Sequence, residues 1–275
     1  ISLVRIWISA VSPFGLMKET FPVVGSGVAT RPALVDLDGD GAAEILAAHA
    51  AGQLAAFRAD GSLAVAFDHG ELVDGFSPFG PDPETAAPRW ELNLALLAQA
   101  AAADLTNDGT PEILLGTMAL EEVDIGELAA DPGEALARLH SVITMWRADG
   151  RVREPFPLEL DGWTLFAGAT IADLDADTLP EILLPTDGGW LHAWNARGDA
   201  APAFPHFTGG WTGPAAAIGD LDADGALDLV TGTREGAIFA WKTAGSACVN
   251  ERSAIRWGAL HHDAGVGRSQ AGERQ

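Results

Sequence analysis

Carboxylates spaced two residues apart occur four times in this chain, each time followed by a further acid and an apolar run. The four segments are DLDGDGAAEIL (36–46), DLTNDGTPEIL (104–114), DLDADTLPEIL (173–183) and DLDADGALDLV (220–230). Carboxylates at positions one, three and five of a tight loop converge on one point, and hard cations prefer such oxygen ligands. Four copies in register predict a repeated ion site. The alternative is that they are ordinary Asp-Gly turns at a solvated surface.

Each segment offers the same set of prospective ligands. Side chains come from positions one, three and five, a backbone carbonyl comes from position seven, and an acid at position nine completes the shell. The predicted ligands are Asp36, Asp38, Asp40, Ala42 and Glu44 in loop one, Asp104, Thr106, Asp108, Thr110 and Glu112 in loop two, Asp173, Asp175, Asp177, Leu179 and Glu181 in loop three, and Asp220, Asp222, Asp224, Ala226 and Asp228 in loop four.

Calcium is the ion that this pattern favours. Magnesium binds few protein ligands and keeps its waters, and zinc would require Cys or His in the loops. The EF-hand loop opens in the same way, but its closing Glu stands at position twelve between helices. We therefore predict up to four calcium ions. Loops two and three are expected to bind more weakly, because Thr106 replaces a carboxylate and Thr178 replaces the glycine that permits the turn at position six.

The loops belong to a repeated unit of 47 residues, the distance from Asp173 to Asp220. An aromatic residue follows the first Asp by 21 residues in three copies, at Phe57, Trp194 and Trp241. In the second copy the matching residue is Trp146, which predicts an insertion at 118–138. A longer gap before loop two predicts another insertion at 69–95.

Four short apolar runs fit within each unit, and repeated four-stranded units are typical of propeller blades. The predicted fold is therefore all-β, a β-propeller of four-stranded blades. Trp7 fits the aromatic position of a blade whose first half would precede residue 1, so we expect about four and a half blades of a larger ring, as a fragment. The single propeller segment, 1–275, divides into a partial blade (1–31), blades at 32–100, 101–169 and 170–216, and a last blade with a C-terminal tail (217–275).

Composition limits the possible partners. The formal net charge of −23 argues against nucleic acid, which requires a basic surface. No apolar stretch is long enough to span a bilayer. The chain has a single cysteine, so no internal disulfide can form, and 48% hydrophobic residues are enough for a substantial core.

The DxDxDGxxE-type loops resemble those of the FG-GAP/VCBS repeat family, the calcium-binding blades that also occur in the integrin alpha-subunit propeller. The stretch WGALHHDAGVG (257–267) is similar to the tail of bacterial proteins of that family. The resemblance implies an extracellular or cell-surface location, although this chain contains no signal sequence. It does not imply one activity. Thr106, Thr178 and the two insertions depart from the family pattern, and the Phe-Gly/Gly-Ala-Pro signature is barely present.

Four tryptophans outside the repeated aromatic position are candidates for ligand binding. They are expected on the face opposite the acid loops, where they could bind sugar rings or a protein partner; they are Trp90, Trp163, Trp190 and Trp211. The alternative is that they wedge between neighbouring blades.

Catalytic patterns are poor. His261, His262 and Asp263 fit a packed tail better than a catalytic site, and Ser26 lacks the strand-to-helix context of a nucleophile elbow. We therefore predict a non-catalytic, calcium-binding extracellular recognition or adhesion module. The alternatives are the propeller portion of a secreted polysaccharide lyase or hydrolase, and a structural scaffold in a surface protein.

Overall fold

A computed structural model of the chain describes residues 7–8, 23–24, 32–48, 54–67, 99–120, 139–164, 168–212, 215–246 and 255–257. All the regular secondary structure in these ranges consists of β-strands, which confirms the all-β prediction for the described residues. No helix of a length and apolarity that could cross a membrane occurs in the described ranges.

The strands are short and follow one another closely along the chain. They are β1 (Trp7–Ile8), β2 (Val23–Val24), β3 (Ala33–Val35), β4 (Glu44–Ala48), β5 (Leu54–Phe57), β6 (Leu63–Ala66), β7 (Ala101–Ala103), β8 (Glu112–Leu120), β9 (Leu139–Trp146), β10 (Leu158–Leu160), β11 (Thr170–Ala172), β12 (Glu181–Pro185), β13 (Trp190–Trp194), β14 (His206–Phe207), β15 (Ala217–Gly219), β16 (Ala226–Gly232), β17 (Ile238–Ser246) and β18 (Ile255–Trp257).

Strands β1 and β2 form an antiparallel pair, and the following consecutive strands pair antiparallel in four larger sheets. Sheet one contains β3–β6, sheet two β7–β10, sheet three β11–β14 and sheet four β15–β17, each in sequence order. This is the predicted succession of four-stranded units, with three strands described in sheet four. The fourth strand directly follows Phe156-Pro157 in sheet two and Phe204-Pro205 in sheet three. The number of blades and the closure of a ring stay predictions.

The strand register repeats as well. In every sheet the aromatic residue of strand three lies opposite the aliphatic residue at position ten of the acid segment. The pairs are Phe57 with Ile45, Trp146 with Ile113, Trp194 with Ile182, and Trp241 with Leu229. Trp146 therefore occupies the repeated aromatic position despite its longer distance from Asp104.

The two predicted insertions fall mainly outside the described residues. In sheet two the hairpin of β8 and β9 extends to the pair Leu120–Leu139, and 121–138 lies beyond it. The segment 69–95 is outside the described residues altogether.

Small side chains fill the first strands. Ala101 and Ala102 in β7 are fully buried, although alanine favours helices when it is considered alone. Burial between sheets overrides this propensity, because a strand covered on both faces gains more from packing than from its intrinsic preference. On its other edge β11 pairs with β18, which also contacts β7. The strand β18 therefore lies beside the first strands of sheets two and three.

The apolar core lies between successive sheets. One buried cluster draws residues from sheets one, two and three, and a second joins sheets three and four. The Leu at position two of the acid segment packs into this core in the first three loops. Leu105 is 0% exposed, whereas its counterpart Leu221 in loop four is 70% exposed. Ile238 is likewise exposed while its counterparts Leu54, Ile143 and Leu191 are buried, so sheet four ends the packed series within the described part of the chain.

Candidate metal centre

The four acid loops each join the first and second strands of a sheet, and one hydrogen bond is common to all of them. The carboxylate at position nine accepts from the backbone N–H of the Leu at position two. The donor–acceptor pairs are Leu37–Glu44 (2.9 Å), Leu105–Glu112 (2.9 Å), Leu174–Glu181 (2.7 Å) and Leu221–Asp228 (2.8 Å). This bond fixes the carboxylate at the start of strand two against the beginning of the loop.

Two further hydrogen bonds recur in every loop. The Oδ2 atom at position one accepts from the backbone N–H of position six, as in Asp36 with Gly41 at 2.9 Å. The Oδ1 atom at position five accepts from the backbone N–H of position seven, as in Asp40 with Ala42 at 2.7 Å. Together with the bond at position nine, these bonds fix three carboxylates of each loop against the loop backbone.

The loop backbone is left-handed at two positions in every copy. At position six φ is 88° for Gly41, 88° for Gly109, 79° for Thr178 and 86° for Gly225. At position four it is 75° for Gly39, 55° for Asn107, 65° for Ala176 and 59° for Ala223. A Cβ atom placed on Gly41 or Gly109 would meet nothing within 4 Å, so the backbone angle favours glycine there. The sequence pattern predicts the sharp turn at position six but not the left-handed residue at position four, where only Gly39 and Asn107 are residue types that favour such a backbone.

Three of the loops bring acid oxygens together. The groups are Asp36 with Asp38 and Asp40, Asp173 with Asp175 and Glu181, and Asp220 with Asp222 and Asp228, and within each group the ligand atoms lie within 4.8 Å of one another. Calcium binds oxygen at 2.3–2.6 Å, so two oxygens on opposite sides of one ion stand about 5 Å apart. The spacing and the all-oxygen donor set of these three loops fit calcium.

The other predicted ligands stand outside these groups. Glu44, Asp177 and Asp224 belong to the same loops but not to the converging sets. The backbone N–H groups of Ala42, Thr110, Leu179 and Ala226 at position seven donate to the carboxylate at position five. In loop two the prospective ligands Asp104, Thr106, Asp108 and Glu112 supply no group of three converging acids among the described residues.

Crowding of carboxylates shows in the electrostatics of loop three. Burial raises the pKa of Glu181 to about 8, and repulsion from Asp175, Asp173 and Asp177 adds to this effect. Burial and the neighbouring Asp177 also raise the pKa of Asp175. A divalent cation between these groups would relieve both effects, because it stabilises the ionised forms.

Loop two has a different neighbour. The guanidinium of Arg153 donates to Oε1 of Glu112 over 3.1 Å, and the Glu112 side chain is 2% exposed. Burial raises the pKa of Glu112, and the positive charge of Arg153 opposes that rise. In the same loop the hydroxyl of Thr110 donates to Asp108 and lowers the pKa of that carboxyl.

Loop four also has a basic neighbour, but in a different place. The ammonium of Lys242 lies 3.1 Å from Oδ2 of Asp222 and bonds to Asp224. Asp224 is thereby held by the lysine, and the pKa of its carboxyl is lowered. Lys242 is about half exposed, and its contact with Asp222 involves an exposed member of the converging group, whereas the buried member, Asp228, accepts from the Leu221 N–H.

The tryptophans that were predicted to face away from the acid loops contact the turns between strands two and three. The backbone of Trp163 exchanges hydrogen bonds with Asp187 in such a turn of sheet three. The carbonyl of Trp211 accepts from the N–H of Arg234 in the equivalent turn of sheet four, and the Arg234 guanidinium lies 4.9 Å from the Trp211 ring. In an antiparallel meander these turns lie at the opposite end from the strand one–two loops.

Trp190 and its neighbour complete this end of sheet three. The Trp190 ring lies 4.6 Å from that of Phe207, which is 59% exposed. Trp190, Trp163 and Trp211 are each half-buried. Trp90 lies outside the described residues.

Comparison with known proteins supports the fold. No protein-family model and no curated protein sequence matches the chain. Among solved structures, the chain is similar to the quinohemoprotein alcohol dehydrogenase from Comamonas testosteroni, at 12% identity over 88% of this chain and 43% of that one, with a TM-score of 0.54. It is also similar to BBS1N in complex with ARL6DN, at 14% identity over 88% and 61% of the two chains, with a TM-score of 0.49.

A third similar structure is the Vibrio cholerae (V. cholerae) biofilm matrix protein Bap1, at 18% identity over 86% and 34% of the two chains, with a TM-score of 0.42. These proteins are β-propeller-like. The chain spans between about a third and two thirds of their lengths. At such low identity the similarity concerns the fold alone, and the fold is all-β and propeller-like.

Proposed function

We propose that the chain is a calcium-binding β-propeller segment of the FG-GAP/VCBS type. One observation carries the proposal: three loops at equivalent places in sheets one, three and four each bring acid oxygens from three side chains to within 4.8 Å of one another. The shared backbone hydrogen bonds fix two of the three acids in each group, at positions one and five in loop one and at positions one and nine in loops three and four. The carboxylates and loop carbonyls would hold the ion, and the ion would supply the positive charge that the crowded acids lack.

Calcium in this role stabilises the fold. An ion at tenfold its dissociation constant adds about 1.4 kcal/mol per site, so three sites would add roughly 4 kcal/mol. Extracellular modules bind calcium with dissociation constants of about 10⁻⁴–10⁻³ M, which suits the calcium concentration outside cells. Together with the resemblance to the FG-GAP/VCBS repeat family, this leads us to propose a location outside the cell or at its surface.

The experiment is thermal unfolding in EDTA, in calcium and in magnesium at equal ionic strength. Calcium should raise the melting temperature in proportion to the logarithm of its concentration, and magnesium should do so less. Asp36→Asn, Asp173→Asn and Asp220→Asn should each remove part of the calcium effect, whereas Asp199→Asn, at an exposed turn outside the loops, should not. Equal melting temperatures in EDTA and calcium would refute the proposal.

We further propose that the segment is a non-catalytic recognition or adhesion module, with its ligand at the end opposite the acid loops. The support is the group of half-buried and exposed aromatic rings at that end: Trp190 against Phe207, and Trp211 beneath Arg234. Flat aromatic faces bind sugar rings and protein surfaces alike.

Glycan-array and pull-down assays with the calcium-loaded protein test this second part. Phe207→Ala and Trp211→Ala should lose ligand without a large fall in melting temperature. A fall in melting temperature with unchanged binding would assign these rings to packing between sheets instead.

A further inference from the structure

The acid at position nine is buried in loops two and three alike, but only loop three groups it with other acids. Glu112 and Glu181 are each 2% exposed, and each accepts a hydrogen bond from the Leu at position two. A buried carboxylate requires a nearby positive charge, because removing an ion from water is costly unless it is paired. In loop three the proposed calcium provides that charge.

In loop two the chain itself provides it. Arg153 reaches Oε1 of Glu112 at 3.1 Å, and the Thr106 hydroxyl lies 3.4 Å from the same oxygen. The second carboxylate oxygen of Glu112 accepts the Leu105 N–H at 2.9 Å. Both oxygens of Glu112 are therefore engaged by protein groups.

Arg153 stands at a position where the neighbouring sheets have alanine. Its N–H donates to the carbonyl of Met145 at 2.8 Å, just as the N–H of Ala201 donates to Ala193 at 2.9 Å in sheet three. The matching residue of sheet one, by distance from the repeated aromatic, is Ala64. The alanine side chain is too short to reach the acid loop. Of sheets one, two and three, therefore, only sheet two has a side chain at this position that can contact the loop.

We infer that Arg153 takes the place of the calcium ion in loop two. Loop two is then closed by an internal ion pair with Glu112, while loops one, three and four bind the ion. A guanidinium carries one charge and only donates hydrogen bonds, so it can pair with Glu112 but leaves no room for a divalent cation with the same ligand. This inference rests on the proposed calcium function.

Calorimetric titration of calcium tests the inference by counting ions. The wild type should bind three, matching the three acid groups. Thr106→Asp restores the missing carboxylate but keeps the arginine, and should still bind three. The double variant Thr106→Asp/Arg153→Ala should bind four. The two variants differ only at Arg153, so a fourth ion in Thr106→Asp alone, or a count of three in the folded double variant, overturns the inference.

Thermal unfolding in EDTA provides a readout that does not involve calcium. The melting temperature of Arg153→Ala should be lower than that of Arg151→Ala. Arg151→Ala is the matched control, because it removes an arginine two residues away whose side chain is 85% exposed. Adding Glu112→Gln to Arg153→Ala should recover most of that loss, because no buried charge then remains unpaired. Equal melting of Arg153→Ala and Arg151→Ala in EDTA would contradict the ion pair.

The two proposals fail in different ways. A wild type that binds four ions overturns the role of Arg153 and leaves the calcium function intact. A wild type that binds none overturns the calcium function.

Discussion

The side-chain amide of Asn107 donates a hydrogen bond to the backbone carbonyl of Thr178, with a nitrogen–oxygen distance of 2.9 Å. Asn107 stands at position four of loop two and Thr178 at position six of loop three, and both have left-handed backbones. The bond joins two acid loops that are 71 residues apart in sequence. It shows that loops two and three are neighbours, so an ion bound in loop three would lie beside the loop in which Arg153 pairs with Glu112.

Thr178 is predicted to strain its turn. Its φ of 79° is a conformation that β-branched residues rarely adopt, and the matching residue in the other three loops is glycine. Thr178→Gly should stabilise the protein by about 1 kcal/mol, which raises the melting temperature of a chain of this size by about 2–4 °C. The reverse change, Gly225→Thr, should lower it. A lower melting temperature for Thr178→Gly would contradict the strain.

Burial of the Leu at position two is predicted to determine the cost of its removal. Leu105→Ala should destabilise the protein by about 2–5 kcal/mol because it leaves a cavity in a fully buried site. Leu221→Ala, at the same motif position but 70% exposed, should cost less than about 0.5 kcal/mol. Denaturant unfolding of both variants checks the difference. Equal costs would mean that something covers Leu221 in solution.

The Glu181 carboxylate is predicted to oppose folding when calcium is removed. Burial raises its pKa to about 8, so its charged form is poorly tolerated without a cation. Glu181→Gln keeps an acceptor for the Leu174 N–H but removes the charge. In EDTA at pH 7 this variant should melt above the wild type, and its gain from calcium should be smaller. A variant that melts below the wild type in EDTA would contradict this reasoning.

Acid is predicted to destabilise sheet three through His192. Its ring stacks on Trp194 at 5.2 Å, its Nε2 atom has no hydrogen-bond partner, and burial lowers its pKa from 6.5 although Asp161 opposes the change. The unfolded chain therefore binds the proton more readily. The titration of His192 therefore costs the fold no stability above pH 6.5. The free energy of unfolding falls as the pH drops below that value toward the lower pKa of His192 in the folded state.

Melting curves from pH 8 to pH 5 in saturating calcium measure this effect. His192→Phe keeps an aromatic ring against Trp194 and should flatten the acid side of the profile relative to the wild type. Burial also lowers the pKa of His206, and its ring lies 4.6 Å from that of Trp241. Substitution of His206 therefore provides an independent comparison. Profiles of wild type and His192→Phe with the same shape would rule out His192 as the source.

Much of the fold could be predicted because each repeat carries several signals in fixed register. The spacing from the first Asp to the aromatic residue predicted strands one to three, and the aromatic does lie opposite position ten of the acid segment in every sheet. The segment Ala101–Ala103 forms the first strand of its sheet in the same register, against its helix propensity. Such signals are local, because they depend on residues within one hairpin.

The differences between the loops were less accessible from sequence. Arg153 lies 41 residues after Glu112, and its contact depends on strand three returning beside the loop. The same holds for Lys242, which follows loop four in sequence and contacts both Asp224 and Asp222, the latter a member of the converging group. The motif identified which residues could bind calcium, but side chains from the third strand and the turn that follows it modify each loop separately.

The most direct test of the account is a crystal structure grown in calcium, with anomalous difference density used to locate the ions. Peaks are expected among Asp36, Asp38 and Asp40, among Asp173, Asp175 and Glu181, and among Asp220, Asp222 and Asp228, with the Arg153 guanidinium against Glu112 in loop two. Acid loops without anomalous peaks at saturating calcium would contradict it.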